Sequence, residues 1–221
     1  MNQPLIHSLL ADPLDGAAIE SRSLAAIDRE APPHCYPLRE WAVVRRMIHA
    51  TADFSLAGCT HFSPGAVDAA VAALTHGRAI YVDSAMIRAG LSPARLSKVC
   101  PSYSPESILC HVADADVRRQ AGDAGLPRSL FAVRKARRHL EGAIAVFGNS
   151  PVALLELNRM IIEENLRPSL VIGMPVGFVH VIESKEELMS LDVPWIVVEG
   201  RRGGSPLAVA ALHALCGVCR G

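Results

Sequence analysis

The sequence predicts an α/β fold: a doubly wound, mostly parallel sheet of about five strands with helices on both faces and an N-terminal helical segment. Three observations predict it. Five short apolar runs, AIYVD (79–83), SILCHV (107–112), AIAVFG (143–148), LVIG (170–173) and WIVVEG (195–200), have the length and composition of buried strands. Each is followed by a helix-like stretch, the rhythm of parallel strands joined by crossover helices. The 221 residues, 50% of them hydrophobic, bury a full core without a second large domain, so 1–221 reads as a single domain.

The N-terminal part is helical in three pieces, residues 16–31, 37–52 and 64–77. Pro32 and Pro33 break the chain between the first two. Pro37 and Pro64 suit first-turn positions, where a missing N–H costs nothing, and Gly77 suits a helix end. In the second piece Leu38, Trp41, Val44 and Ile48 recur at three- and four-residue spacing and predict a buried stripe.

From residue 79 strands and helices alternate, and in such sheets ligands bind outside the carboxyl ends of the strands. Three strand-to-helix junctions there share one chemistry: GNSP (148–151), GMPVGFVHVIES (173–184) and GRRGGSP (200–206). Glycine lets the backbone approach a ligand. Ser150 and Ser205 stand before Pro151 and Pro206 in a cap-then-proline arrangement, and Ser184 with Glu187 fits a capping box. Any one of these is explained by a well-made turn. Several helix starts along one edge, each with unpaired N–H groups and a partial positive charge, point to a site for several carboxylates or phosphates.

Charge and motifs narrow the classes. Lys plus Arg and Asp plus Glu are 22 each, so there is no general field for nucleic acid or an anionic membrane, and any anion site is local. The basic cluster RKARRHLEG (134–142) falls on a helix and reads as a solvated face. GRRGGS lacks the dinucleotide spacing and no GxxxxGK[ST] is present. No secretory signal or bilayer-length apolar run is legible, which leaves the cytoplasm as the expected compartment. The six cysteines read as reduced, packed thiols, with CGVC (216–219) a tail feature. Without HExxH or paired C-x-x-C sites, no metal site is expected.

One histidine stands out. His49 lies at the edge of the apolar stripe with Arg45 one turn before it and Asp53 one turn after, so it has a cationic neighbour, an anionic neighbour and partial burial to tune a general acid. A hydrogen-bonded structural histidine is the plain alternative.

Several strings then coincide with one family. RMIHATAD (46–53), YVDSAMIRAG (81–90), GNSP (148–151), GMPVGFVHVIESKEEL (173–188) and GRRGGSPLAVAALHAL (200–215) resemble precorrin-8X methylmutases, in order and over nearly the whole chain from 21–30 onward. The resemblance implies a homodimeric isomerase of vitamin B12 biosynthesis. Its reaction moves a methyl group from ring position 11 to 12, turning precorrin-8X into hydrogenobyrinic acid or the cobalt-containing equivalent into cobyrinic acid, without a cofactor.

The resemblance makes His49 the acid of the R-M-x-H motif. Substrate contacts are expected from Arg45, Asp83, Met86, Arg128, Ser129, Asn149, Ser150, Pro175, Val176, Gly177, Arg201, Gly203, Gly204 and Ser205, and transient hand-over to neighbouring pathway enzymes is implied. The corrinoid's acetate and propionate fringe matches the repeated helix-start loops. His213, where the family usually has asparagine, Pro127 and the segment 34–41 depart from its pattern. A non-catalytic corrinoid carrier with the same pocket, or a phosphate-binding α/β protein, are the competing readings.

Overall fold

The structure, a computed structural model, describes residues 4–220. The helical N-terminal part consists of α1 (Leu5–Ala11), α2 (Gly16–Glu30) and α3 (Leu38–Thr51). The alternating part runs β1 (Thr60–Phe62), α4 (Ala66–Thr75), β2 (Ile80–Val82), α5 (Ala85–Gly90), α6 (Pro93–Ser97), β3 (Ile108–Leu109), α7 (Ala115–Ala124) and α8 (Arg128–Leu140). It continues with β4 (Ile144–Phe147), α9 (Pro151–Glu164), β5 (Leu170–Gly173), α10 (Val181–Met189), β6 (Trp195–Val198) and α11 (Ser205–Val218). No helix among the described residues is long and apolar enough to cross a membrane.

The six strands lie in the order β1-β6-β5-β4-β2-β3. All five expected strands are present and mutually parallel, with β2 pairing both β3 and β4. A sixth, β1, runs antiparallel to β6, Thr60 opposite Val198. Its three residues, THF, form no apolar run, so nothing local announced it. The strand order reverses between β2 and β4, and that switch point opens the carboxyl edge of the sheet.

Alternation of side chains builds two cores. Ile80, Val82, Ile144, Val146, Ile172 and Ile196 pack with residues of α3, α4 and α11, while Tyr81, Ala145, Phe147, Val171 and Val197 pack with α8 and α9. At roughly 1.5–3 kcal/mol for each large apolar side chain buried, these layers hold the strand ends in place. The basic cluster of α8 is tied to its neighbours: Arg134 to Glu156, Arg137 to Glu164 and Lys135 to Asp114 and Asp116, with Arg159 joining Glu156, Glu163 and Glu164.

Three local expectations are corrected. Trp41, Val44 and Ile48 are buried, but Leu38 is 88% exposed. Successive residues turn by about 100°, so the buried face of α3 is completed by Val43 and Met47, and Leu38 falls outside it. Pro37 is the N-cap of α3 rather than its first turn, and Gly65, in a left-handed conformation, caps α4. The capping box at Ser184 does not form, because α10 begins earlier, after a left-handed His180; Ser184 lies inside it and donates to Val181 O.

Candidate functional site

Four loops meet at the carboxyl edge, after β2, β4, β5 and β6. At the switch point Asp83 follows β2, 1% exposed. Its Oδ1 accepts the N–H of Gly148 (3.2 Å), and its Oδ2 accepts those of Asn149 (2.9 Å) and Ser150 (2.7 Å). Burial pushes this carboxyl up to about 6, against the three N–H bonds that favour its ionised form. The GNSP turn thus turns its N–H groups inward to a resident carboxylate. Ser150 caps α9 through Ala153 N, and its hydroxyl pairs with that of the buried Ser129 at 2.7 Å. Arg128, on the first turn of α8, stays exposed beside it.

On the other side of Asp83, the Ser84 hydroxyl caps α5 through Ile87 N and lies 3.1 Å from the Ser205 hydroxyl. Ser205 is the first residue of α11, and Gly204, with φ 123°, is its N-cap, so the expected serine cap shifts by one residue. A Cβ on Gly148 would stand 3.0 Å from the Ser205 backbone, which brings these two loops into direct contact.

The β5 and β6 loops cross each other. Gly204 N donates to Met174 O at 2.8 Å and Gly177 N to Arg201 O at 3.3 Å. A Cβ on Gly203, with φ 157°, would land against Met174 O and lie 2.6 Å from Pro175 O, so a side chain has no room there. Arg202 pairs with Asp53 at 2.9 Å, and the Arg201 guanidinium sits 5.5 Å above the exposed Phe178 ring. Beneath the crossing, the buried Lys185 donates to Gly200 O (2.8 Å) and Arg202 O (2.6 Å), and burial lowers its ammonium to about 8.

Two clefts of about 360 Å³ each share Val176 as a wall. Asp83, Met86, Asn149, Gly204, Ser205 and Pro206 line one. Thr51, Asp53, Arg201, Arg202 and Gly203 line the other. Met86, Val176, Phe178 and Val179 give this edge an exposed apolar rim. Pro175 is buried under it and Gly177 half-buried.

A larger cavity of about 670 Å³ lies along α2, α3 and α11, lined by Glu20, Leu38, Arg39, Arg45, Arg46, Arg95 and His213 among others. His213 accepts the N–H of Ser92 at 3.0 Å, and burial, with Arg95 and Arg46 nearby, lowers it to about 4. It therefore supplies a neutral acceptor, as an asparagine would.

His49 is half-buried, four residues beyond Arg45 on the side of α3 opposite Val43, Val44 and Met47. Leu38, Ala42, Arg45 and Arg46 on its N-terminal side line the large cavity, and Thr51 and Asp53 beyond it line a carboxyl-edge cleft. The two expected charged flanks are engaged elsewhere. Arg45 pairs with Asp28 at 2.5 Å. Because α3 ends at Thr51 with a left-handed Ala52, Asp53 leaves the helix to cap the next turn, and its bonds from Ser55 hold it below the usual carboxylate range.

The loops after β2, β4, β5 and β6 thus meet at the carboxyl edge, while Arg45 stands in the separate cavity. Ser84 and Lys185 were missed. Their one sequence signal is adjacency to expected motif residues, Asp83 and Ser184.

The Precorrin-8X methylmutase family model matches residues 18–218. A Cobalt-precorrin-8 methylmutase of Leptospira interrogans is 42% identical, the match covering 90% of this chain and 92% of the relative. A Precorrin-8X methylmutase of Pseudomonas aeruginosa is 40% identical, over 91% and 95%. The crystal structure of the precorrin-8x methyl mutase from Thermus thermophilus superposes with a TM-score of 0.84 at 46% identity, covering 92% of this chain and 96% of that one. The chain belongs to the precorrin-8X methylmutase family.

Proposed function

We propose that the chain is an isomerase of cobalamin biosynthesis that converts precorrin-8X, or its cobalt-containing equivalent, by moving a methyl group from ring position 11 to 12, with His49 as proton donor. The supporting observation is the position of His49 on the stretch of α3 between the arginine-lined cavity and the carboxyl-edge clefts. A flat ring lying across the edge meets an apolar rim at Met86, Val176 and Phe178, with glycine backbone at Gly204 admitting close approach.

Its carboxylate fringe finds cations at Arg128 and Arg201, while Asn149 and Ser205 supply polar contacts at the cleft wall. Bidentate arginine–carboxylate pairs suit this task. Ser129 and Ser150 act behind the wall, and the buried Asp83 at its base sets its shape.

The chemistry needs one proton. Protonating the conjugated macrocycle at His49 withdraws electron density from the migrating centre. The methyl–C11 bond then breaks as the methyl–C12 bond forms, and the proton returns, so the composition is unchanged. We also assign a homodimer, whose partner would border the open edge; sedimentation showing only monomer at working concentration argues against it.

The test is His49→Ala. It should bind hydrogenobyrinic acid nearly as the wild type does, yet convert precorrin-8X about two to four powers of ten more slowly in single turnover. Full turnover in that variant would reduce His49 to a structural role. Binding without conversion in the wild type would favour the carrier reading.

A further inference from the structure

Lys185 is 1% exposed, and its ammonium has two main-chain carbonyls, Gly200 O and Arg202 O, as partners. The thiol of Cys59 lies near it, and burial pushes that thiol up. A charge taken out of water without a carboxylate is costly, so its retention calls for a specific reason. Its two partners belong to the loop whose next residues, Gly203 and Gly204, wall the clefts.

That loop is held from above by Gly204 N to Met174 O and Gly177 N to Arg201 O, and from below by Lys185. The helix carrying Lys185 is itself fixed, since the fully buried Asn158 of α9 donates to Ser184 O and Glu187 Oε2, both at 2.9 Å. An unbroken set of bonds runs from α9 through α10 to the cleft wall.

We propose that Lys185 is a positioning residue, a buried ammonium that fixes the 200–204 loop by its carbonyls and so keeps the clefts open for the corrinoid. It acts through the loop and touches no substrate. The inference rests on the corrinoid reading for its ligand, whereas its effect on the loop does not.

The experiment compares wild type, Lys185→Met and Lys185→Gln in two measurements. Limited trypsin digestion reads the loop directly, because Arg201 and Arg202 are exposed cleavage sites on it. Hydrogenobyrinic acid titration, followed by the visible spectrum, reads the pocket.

Lys185→Met, with wild-type far-UV circular dichroism, should be cut after Arg201 or Arg202 about tenfold faster, the loss of a charge-assisted bond, with cleavage elsewhere unchanged. Pigment affinity should fall about tenfold, while the single-turnover rate at saturation changes by less than about threefold. Lys185→Gln, which keeps donors without charge, should show the same pattern more weakly, and it decides the matter if the methionine variant does not fold.

Wild-type loop cleavage and affinity in a folded variant would overturn the proposal, as would faster cleavage at all sites alike. If the wild type bound no corrinoid, the functional reading would fail, and the trypsin result would still report on Lys185.

Discussion

The turn at 148–151 and the loop at 200–205 look alike in sequence, glycine and serine before a proline, and they are built in opposite senses. The first closes around a buried carboxylate, Asp83, that takes three of its N–H groups. The second closes around a buried ammonium, Lys185, that takes two of its carbonyls. A helix start whose N–H groups are already satisfied from inside offers little to an incoming anion, whereas a loop held by its carbonyls keeps its arginine side chains outward. The difference moves expected carboxylate recognition from the GNSP turn towards Arg201 and its neighbours.

The comparison can be broken at its tightest point first. Gly203→Ala should destabilise by about 3–5 kcal/mol in urea unfolding, summing left-handed strain and overpacking against the 174–175 carbonyls. Wild-type stability would mean that the loops do not cross as described. Asp83→Asn should cost about 2–3 kcal/mol, because its amide NH₂ would face N–H groups that need an acceptor. A neutral result would show that the GNSP turn stands without its carboxylate.

The pH dependence is next in size. Asp83 titrates near 6 when folded and near 4 when unfolded, so between those values the native state binds more protons, and stability falls as pH rises. Its share of that fall is on the order of 1–2 kcal/mol between pH 4.5 and 6, and Asp83→Asn should remove it. Lys185, near 8 when folded against 10.5, gives the opposite slope, with stability rising from about pH 8 to 10.5. An acid-side slope that survives in Asp83→Asn would assign it to other groups. The smallest effect is expected at Gly204→Ala, about 1 kcal/mol, since φ is left-handed but the nearest atom to a Cβ, Pro206 Cδ, is 3.5 Å away. A cost equal to that at Gly203 would contradict the difference in space between the two positions.

Much of this was legible along the chain. Apolar runs marked the five parallel strands, and the Gly, Ser and Pro junctions marked the edge where the loops meet. Long-range pairing was not legible. Asp83 lies 65 residues before the first amide it accepts, and nothing near Lys185 in VIESKEEL announces that its partners are carbonyls 15 and 17 residues on. The same holds for Arg45 and Asp53, one helical turn either side of His49 by count, which Asp28 and Arg202 draw away. Leu38 had the right spacing for the core and the wrong side of the helix, a distinction that depends on where α11 packs.

The antiparallel strand β1 has a consequence for how copies of this protein can meet. An uncovered parallel strand is a template for another chain's backbone, and here β6, which would have been that template, is already paired by Thr60–Phe62. At the opposite border β3 is two residues long, too short to seed a ladder. The edges that remain, β1 with three residues and β3 with two, are both too short to extend the sheet readily, and assembly is left to side chains on helices and loops, where α1 presents Leu5, Ile6, Leu9 and Leu10 to solvent. Contacts of that kind are specified residue by residue, unlike backbone pairing at a strand edge, which accepts almost any sequence.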